Sequence, residues 1–161
     1  MTATSSDIEH EVAEAIKEHL AEAVEEVTVT GKGRMSVIAR KETMKEVAIW
    51  LQHFGFDHAV SVSGVDHLTE RKIEVLYFIS SHSNDDLKHI ILSLRVQVDR
   101  DNPLLPALTP IWESANLFER EAYEMFGVKF EGHPKLQKLL LQDNWDGPPP
   151  LRKDLKIPEM A

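Results

Sequence analysis

The sequence predicts an α+β fold: a two-layer domain with helices packed on one mixed sheet, in the order α-ββ-α-βββ-α, followed by an extended C-terminal tail. Three observations carry this. Ile8, Val12, Ile16, Leu20 and Val24 recur at steps of four, the period of a helix lying on a core. Apolar residues alternate from Ile90 to Val98 and from Ile73 to Ile79, where Leu76 and Phe78 are apolar on the other face too, the period of strands. Beyond Gly127, prolines at 134, 148, 149, 150 and 158 interrupt helix and central strand alike. The chain therefore divides into a core domain, residues 1–126, and a Pro-containing interaction tail, residues 127–161.

The first helix opens on Ser6 and Glu9, which have the spacing of a capping box, and runs for about five turns with its acids on the wet face. Val27 to Thr30 and Met35 to Arg40 are β-prone runs around Gly31 and Gly33, which predicts a hairpin. Gly31-Lys32-Gly33 is a turn rather than a phosphate cradle, because no helix opens directly after it. Met44, Val47, Ala48, Leu51 and Phe54 form a second helical face, closed by Gly55 at C′. Phe56, His58, Val60 and Val62 alternate as the third strand. Leu76 and Phe78 make the fourth strand apolar on its second face as well, so it lies in the sheet interior. The turn-like stretch Ser81 to Asp86 joins it to the fifth strand as a hairpin. After an irregular crossing of Leu104 to Leu108, Thr109 and Pro110 offer an N-cap with Pro at N1. Ile111, Ala115, Phe118, Ala122 and Tyr123 then mark one helix, or two short ones meeting near Asn116.

A chain of 161 residues is long enough for one substantial core. It contains no cysteine, which removes disulfides, thiolate nucleophiles and Cys-ligated zinc or iron-sulfur clusters. With no 18-residue apolar run and no basic, apolar leader, it is expected to be soluble and cytoplasmic. The net charge of −9 sits mostly at the front: residues 1–26 carry −7, residues 27–126 carry −3 and the tail +1. Nucleic-acid binding needs a clustered basic face to displace counterions, and this balance does not supply one. The same balance gives no electrostatic reason to bind anionic lipid directly.

Chemistry of the chain's own is also not indicated. The eight histidines lack any H-x-x-x-H spacing, and no Ser or Thr stands in a nucleophile elbow. Glu119 and Glu121 point about 200° apart on a helix and do not converge. Arg120 and Glu124 are expected to pair at i,i+4, worth roughly 0.2 to 0.5 kcal/mol. Asp66 and His67 are adjacent in extended chain, so their side chains point apart. His133, fixed between Gly132 and Pro134, is expected to sit in a rigid turn with a hydrogen-bonded ring. No catalytic, cofactor-binding or metal residue is assigned.

One long gapped pattern remains. It comprises Glu119, Arg120, Glu121, Tyr123, Met125, Phe126 and Gly127, then Phe130, Gly132, His133, Pro134 and Leu136, and further on Asp143, Trp145, Gly147, Leu151, Arg152, Lys153 and Asp154. The pattern resembles the signature of the 30 kDa-type subunit of the complex I family, the NADH:quinone oxidoreductases and their relatives. Glu124 departs from the family's usual Asp, and Asn144 and the triple proline change the later spacing. The resemblance covers about 100 residues and implies a small two-layer fold of the same order. It also implies a non-catalytic peripheral-arm subunit on the cytoplasmic side of the cell membrane, touching the membrane only through its complex. There it would scaffold the large hydrogenase-like subunit and neighbouring iron-sulfur subunits during electron transfer coupled to proton translocation. No cofactor is then expected in this chain, and iron-sulfur clusters, flavin and quinone belong to its partners. Related complexes fed by reduced deazaflavin or ferredoxin, membrane-bound hydrogenases, and a free-standing α+β regulatory or assembly module are the alternatives.

The tail is where a partner contact is expected. It carries too much apolar surface, with too little periodicity, to cover itself, so it reads as a strap over the chain's own core or another protein. Residues 135–157 are expected to run extended over the neighbouring subunit, burying Trp145 and pairing Arg152 with an acidic group there. A short helical turn is allowed at Lys135 to Leu141. The expected interface comprises Glu119, Arg120, His133, Leu136, Leu140, Trp145, Leu151, Arg152, Lys153 and Asp154.

Overall fold

The computed structural model describes residues 5–156, with side chains from residue 8 onward. A 15-residue helix α1 (Ser5–His19) leads into the hairpin β1 (Val24–Gly31) and β2 (Arg34–Ala39), then helix α2 (Met44–Phe54). Three strands follow, β3 (His58–His67), β4 (Lys72–Ser80) and β5 (Ile91–Asp99), then a short β6 (Leu104–Pro106). A single 3-10 turn (Glu113–Ala115) runs into helix α3 (Asn116–Phe126), and β7 (Lys129–Glu131) closes the regular structure. The expected α+β order is present, and the sheet is mixed. Its strand order is β1-β2-β5-β4-β3, every neighbouring pair being antiparallel except the parallel pair β2 and β5.

Registration places Val37, Leu94, Tyr77 and Val62 in one row, and Met35, Leu92, Ile79 and Ala59 in the next. All are buried, and they form one core with Ile16 and Leu20 of α1 and Met44, Val47 and Leu51 of α2. Leu94 faces inward as the alternation of the fifth strand requires. Helix α2 stops at Gly55, whose φ of 129° is closed to most side chains and whose N–H donates to the carbonyls of Leu51 and Gln52.

Several local expectations are corrected. Helix α1 ends at His19, and Val24 begins β1, so the run of fours outlasts the helix. The capping box expected of Ser6 and Glu9 needs the Ser6 side chain, which lies outside the described residues; the Glu9 Oε1 accepts the Gly33 N–H at 2.6 Å and ties α1 to the hairpin turn. Thr109 caps no helix, and its hydroxyl goes to Glu119 instead. Lys135 to Leu141 contains no helical turn. The stretch read as irregular contains β6, which pairs in parallel with β7 through Leu105 and Phe130. Because Val128 and Phe130 are buried, the core continues past the expected boundary at residue 126.

The third strand shows why alternation alone misleads. A bulge between Ala59 and Ser61 places Val60 outside the ladder and reverses the phase, so Ala59, Val62 and Asp66 point inward while Val60 is 42% exposed. Val60→Thr should therefore change the free energy of unfolding by no more than about 0.5 kcal/mol, whereas an inward Val60 would make the same change costly. Urea denaturation of the two chains distinguishes the cases.

Candidate interaction surface

Helix α3 has one wall turned to the core and one turned to the tail, and charged residues serve both. Glu119 is fully buried. Its Oε1 accepts the Tyr77 hydroxyl at 2.8 Å and the Leu108 N–H at 2.6 Å, and its Oε2 accepts the Thr109 hydroxyl at 2.6 Å. Burial pushes the Glu119 carboxyl above its ordinary range despite these donors, and burial together with Glu119 pushes the Tyr77 phenol well up. His133 stands against the same carboxylate at 3.7 Å. Its Nδ1 accepts the Lys135 N–H, so the ring proton is assigned to Nε2, which donates to the Asn116 carbonyl at 3.1 Å. The expected hydrogen-bonded ring is there, inside the domain.

Arg120 and Glu124 share a face of α3, as their spacing requires, but they do not pair with each other. Arg120 donates from Nε and a terminal nitrogen to the carbonyls of Gln137 and Lys138. Glu124 accepts the successive backbone N–H groups of Leu139, Leu140 and Leu141 at 3.2, 2.9 and 2.7 Å. A carboxylate satisfied by three amides and a guanidinium satisfied by two carbonyls gain more than an exposed i,i+4 pair would, which accounts for the rearrangement. Asn or Gln could not hold three donors this way, and the acid at 124 is what fixes the tail's path.

A second clamp holds the tail's far end. Arg100 forks onto Asp66 at 2.7 and 2.9 Å and also donates to Asp154 at 2.7 Å, while the Lys153 N–H donates to Asp66. Arg152 Nε donates to the Phe126 carbonyl at 2.8 Å, and the Leu151 N–H to that of Met125. Helix and sheet approach closely here: a Cβ at Gly64 would fall 2.6 Å from the Phe126 ring. Gly127 ends α3 in the left-handed region, with Pro149 and Arg152 packed over it.

The tail thus lies on its own domain, which corrects the expectation of a segment running wholly over a neighbour with Arg152 paired there. Glu119 and His133 are interior, Arg120 and Arg152 are half-buried on backbone carbonyls, and Leu136 packs against the core. The outward residues are Leu140, Leu151 and Trp145, 63%, 54% and 36% exposed, joined by Lys153 and the partly exposed Asp154. Trp145 is steadied by its own Nε1–H to the Pro148 carbonyl and by Lys138, which donates to the Trp145 carbonyl. Between the tail and α3 lies a shallow cleft of about 280 Å³ lined by Tyr123, Leu141 and Trp145. Sequence reasoning does not single out Asp66, Tyr77, Arg100 or Thr109 as site residues. Asp66 carries one usable signal, a charge on an inward strand position. Among the described residues no group of three or more His, Asp and Glu side chains is arranged to hold a metal, and no helix is long and apolar enough to cross a membrane.

Residues 37–160 match the family described as respiratory-chain NADH dehydrogenase, 30 Kd subunit. The chain belongs to that family. Its similarity to a subunit of the F(420)H(2) dehydrogenase of Methanosarcina mazei is 34% identity over 144 residues, 89% of each chain. With a subunit of the NADH-quinone oxidoreductase of Roseiflexus sp. (strain RS-1) it is 38% over 130 residues, 78% of this chain and 72% of the other. The trypsin-resistant fragment (1-134) of Nqo5 superimposes with a TM-score of 0.66 at 31% identity, covering 78% of this chain and 98% of that one. A chain of the membrane-bound sulfane sulfur reductase, an archaeal respiratory membrane complex, shares the fold at a TM-score of 0.77, 92% of this chain and 85% of that one, with 24% identity. This 30 kDa-type chain is accordingly a subunit of an oxidoreductase complex, and its partners are other subunits of such a complex. In the family signature, the buried acid at 119 ties α3 to the sheet and the Arg and acid at 120 and 124 tie the tail to α3.

Proposed function

We propose that the chain is a scaffold of a complex I-like respiratory oxidoreductase, holding no cofactor itself and fastening its cluster- or quinone-bearing neighbours through the tail. The single observation that carries this is the mismatch between the tail's backbone and its side chains. The backbone is pinned at Leu139 to Leu141 and at Leu151 to Asp154, yet Leu140, Trp145 and Leu151 remain turned outward. A strap that served only its own core would bury those residues. Pinned at both ends, it displays apolar anchors at little further entropic cost, the condition under which a few large side chains dominate an interface. The large hydrogenase-like subunit is the neighbour proposed for this surface, and the assembly would lie peripherally on the cytoplasmic side of the cell membrane, with iron-sulfur clusters, flavin and quinone in the partner subunits.

A second reading concerns the donor. This chain and the Methanosarcina subunit match over 89% of both lengths, whereas it spans 65% of the Thermus thermophilus NADH-quinone oxidoreductase subunit 5. The similarity to the F(420)H(2) dehydrogenase subunit supports a complex fed by reduced deazaflavin rather than NADH.

Replacing both Leu140 and Leu151 by Glu should leave the unfolding free energy within roughly 1 kcal/mol of the parent, since both side chains are exposed. The same chain should be lost from the affinity-purified complex. Full occupancy of the variant in that complex would place the interface elsewhere on the domain.

A further inference from the structure

The far part of the tail is held to its domain by backbone groups and charges, not by buried side chains. Phe130 and the His133 ring are buried, and Leu136 packs against the core. From 137 to 156 no residue is buried, and no apolar side chain joins the core. Two clamps hold this stretch. At its start Arg120 donates to the carbonyls of Gln137 and Lys138, and Glu124 accepts the N–H groups of Leu139, Leu140 and Leu141. At its end the Leu151 N–H and Arg152 donate to the carbonyls of Met125 and Phe126, the Lys153 N–H donates to Asp66, and Asp154 accepts from Arg100. Between the clamps the stretch is bonded to itself. The Trp145 N–H donates to the Gln142 carbonyl, its indole N–H to the Pro148 carbonyl, and Lys138 to the Trp145 carbonyl.

Neither clamp strands a charge when it opens. Arg100 keeps both oxygens of Asp66, its buried partner, and Asp154, whose side chain is already 55% exposed, passes to water. Arg120 and Glu124 stand four residues apart on α3, the spacing at which the two pair with each other once the peptide groups between them have left. A buried ion pair is costly to break because one charge is left uncompensated, and that cost is absent at both ends. What remains is the exchange of hydrogen bonds for water, a modest loss at each bond. The root of the tail is built differently. Lifting it would break the bonds of the buried His133 ring to the Asn116 carbonyl and the Lys135 N–H, and would uncover Leu136.

We propose that residues 137–156 are a strap that opens and closes as one unit on a folded domain, hinged between Leu136 and Gln137. The closed state is the one in the structure. Closure fixes where Leu140, Trp145 and Leu151 point, so, resting here on the docking role proposed above, it sets the fraction of chains ready to dock. The strap is tested on the chain alone and the docking role in the complex, so the two fail separately.

Native-state hydrogen exchange of the full chain, followed by NMR, is the test. Corrected for intrinsic rates, the amides of residues 139, 140, 141, 151 and 153 should exchange about a hundredfold or more faster than those of Tyr77 and Leu94. The Lys135 amide, before the hinge, should exchange more slowly than these five. Glu124→Gln leaves the far clamp's own bonds in place. It should nevertheless speed exchange at 151 and 153 by the same factor as at 139 to 141, about tenfold. In the reverse direction, Asp154→Asn should speed exchange at 139 to 141 by the factor it produces at 153. Strap amides that exchange only as slowly as the core overturn the proposal. An effect of Glu124→Gln confined to residues 139–141 overturns it too, since the clamps would then open one without the other.

Discussion

Replacing Arg100 by Ala is expected to destabilise the chain by about 3–5 kcal/mol, because it leaves a buried carboxylate without its cation. The side chains of Asp66 and Arg100 are 0% and 3% exposed, and the guanidinium forks onto both Asp66 oxygens. The Arg100 guanidinium, helped by the Lys153 amide, overcomes the effect of burial and holds the Asp66 carboxyl down at about 2, against an ordinary 3.8. A depressed carboxyl contributes stability that is present above its unfolded value and lost as pH falls through its folded value. Asp66 therefore contributes roughly 2–3 kcal/mol near neutrality that disappears between about pH 4 and pH 2. Urea denaturation of the Arg100→Ala chain should show both a lower midpoint at pH 7 and a flatter loss of stability over that acid window. Exchanging Asp66 and Arg100 together for Leu and Met should recover much of the deficit, since removing both charges leaves neither unpaired. The double variant should still lose the tail's far end, because the Lys153 amide and Asp154 then have nothing to hold. If the single variant unfolds at the parental midpoint, the pair is not the clamp described.

That clamp marks the limit of what the sequence discloses. Strands β4 and β5 were legible because seven or more residues repeat one period and their partners lie next in the chain. Asp66 lies in β3 and Arg100 just past β5, 34 residues apart beside strands that do not pair directly; the inward strand position marks Asp66 alone, and nothing local names Arg100 as its partner. Glu124 was legible as a signature position but not in its role, since its partners are backbone amides, and almost every residue has one. Periodicity reads side chains only, so it missed the bulge at Val60, where the backbone slips by one residue and reverses the phase. The tail reads as a strap from its prolines and leucines. Where it lies depends on charges at 100, 120 and 124 that the composition of the tail does not contain.

Glu119 allows the signature itself to be tested, since one side chain there serves three buried donors from two other parts of the chain. Glu119→Ala strands the Tyr77 hydroxyl, the Leu108 N–H and the Thr109 hydroxyl, and at about 1–3 kcal/mol for each unmet buried group the loss should be about 3 kcal/mol or more. Glu119→Gln should cost far less. Its carbonyl can stand where Oε1 accepts from Tyr77 and Leu108, and its amide can donate to Thr109, whose hydroxyl rotates to accept. Glutamine there copies the protonated acid, and this fixes the sign of the pH dependence. The folded Glu119 carboxyl is raised above its ordinary 4.5, so its contribution is fully present below that value and is lost as pH rises through the folded one. The deficit of the Gln chain against the parent should therefore be largest near pH 4 and shrink toward neutrality, the opposite slope to the Arg100 variant. Equal losses for Ala and Gln, or a deficit that grows with pH, would mean that Glu119 is held as a charge by the three donors around it.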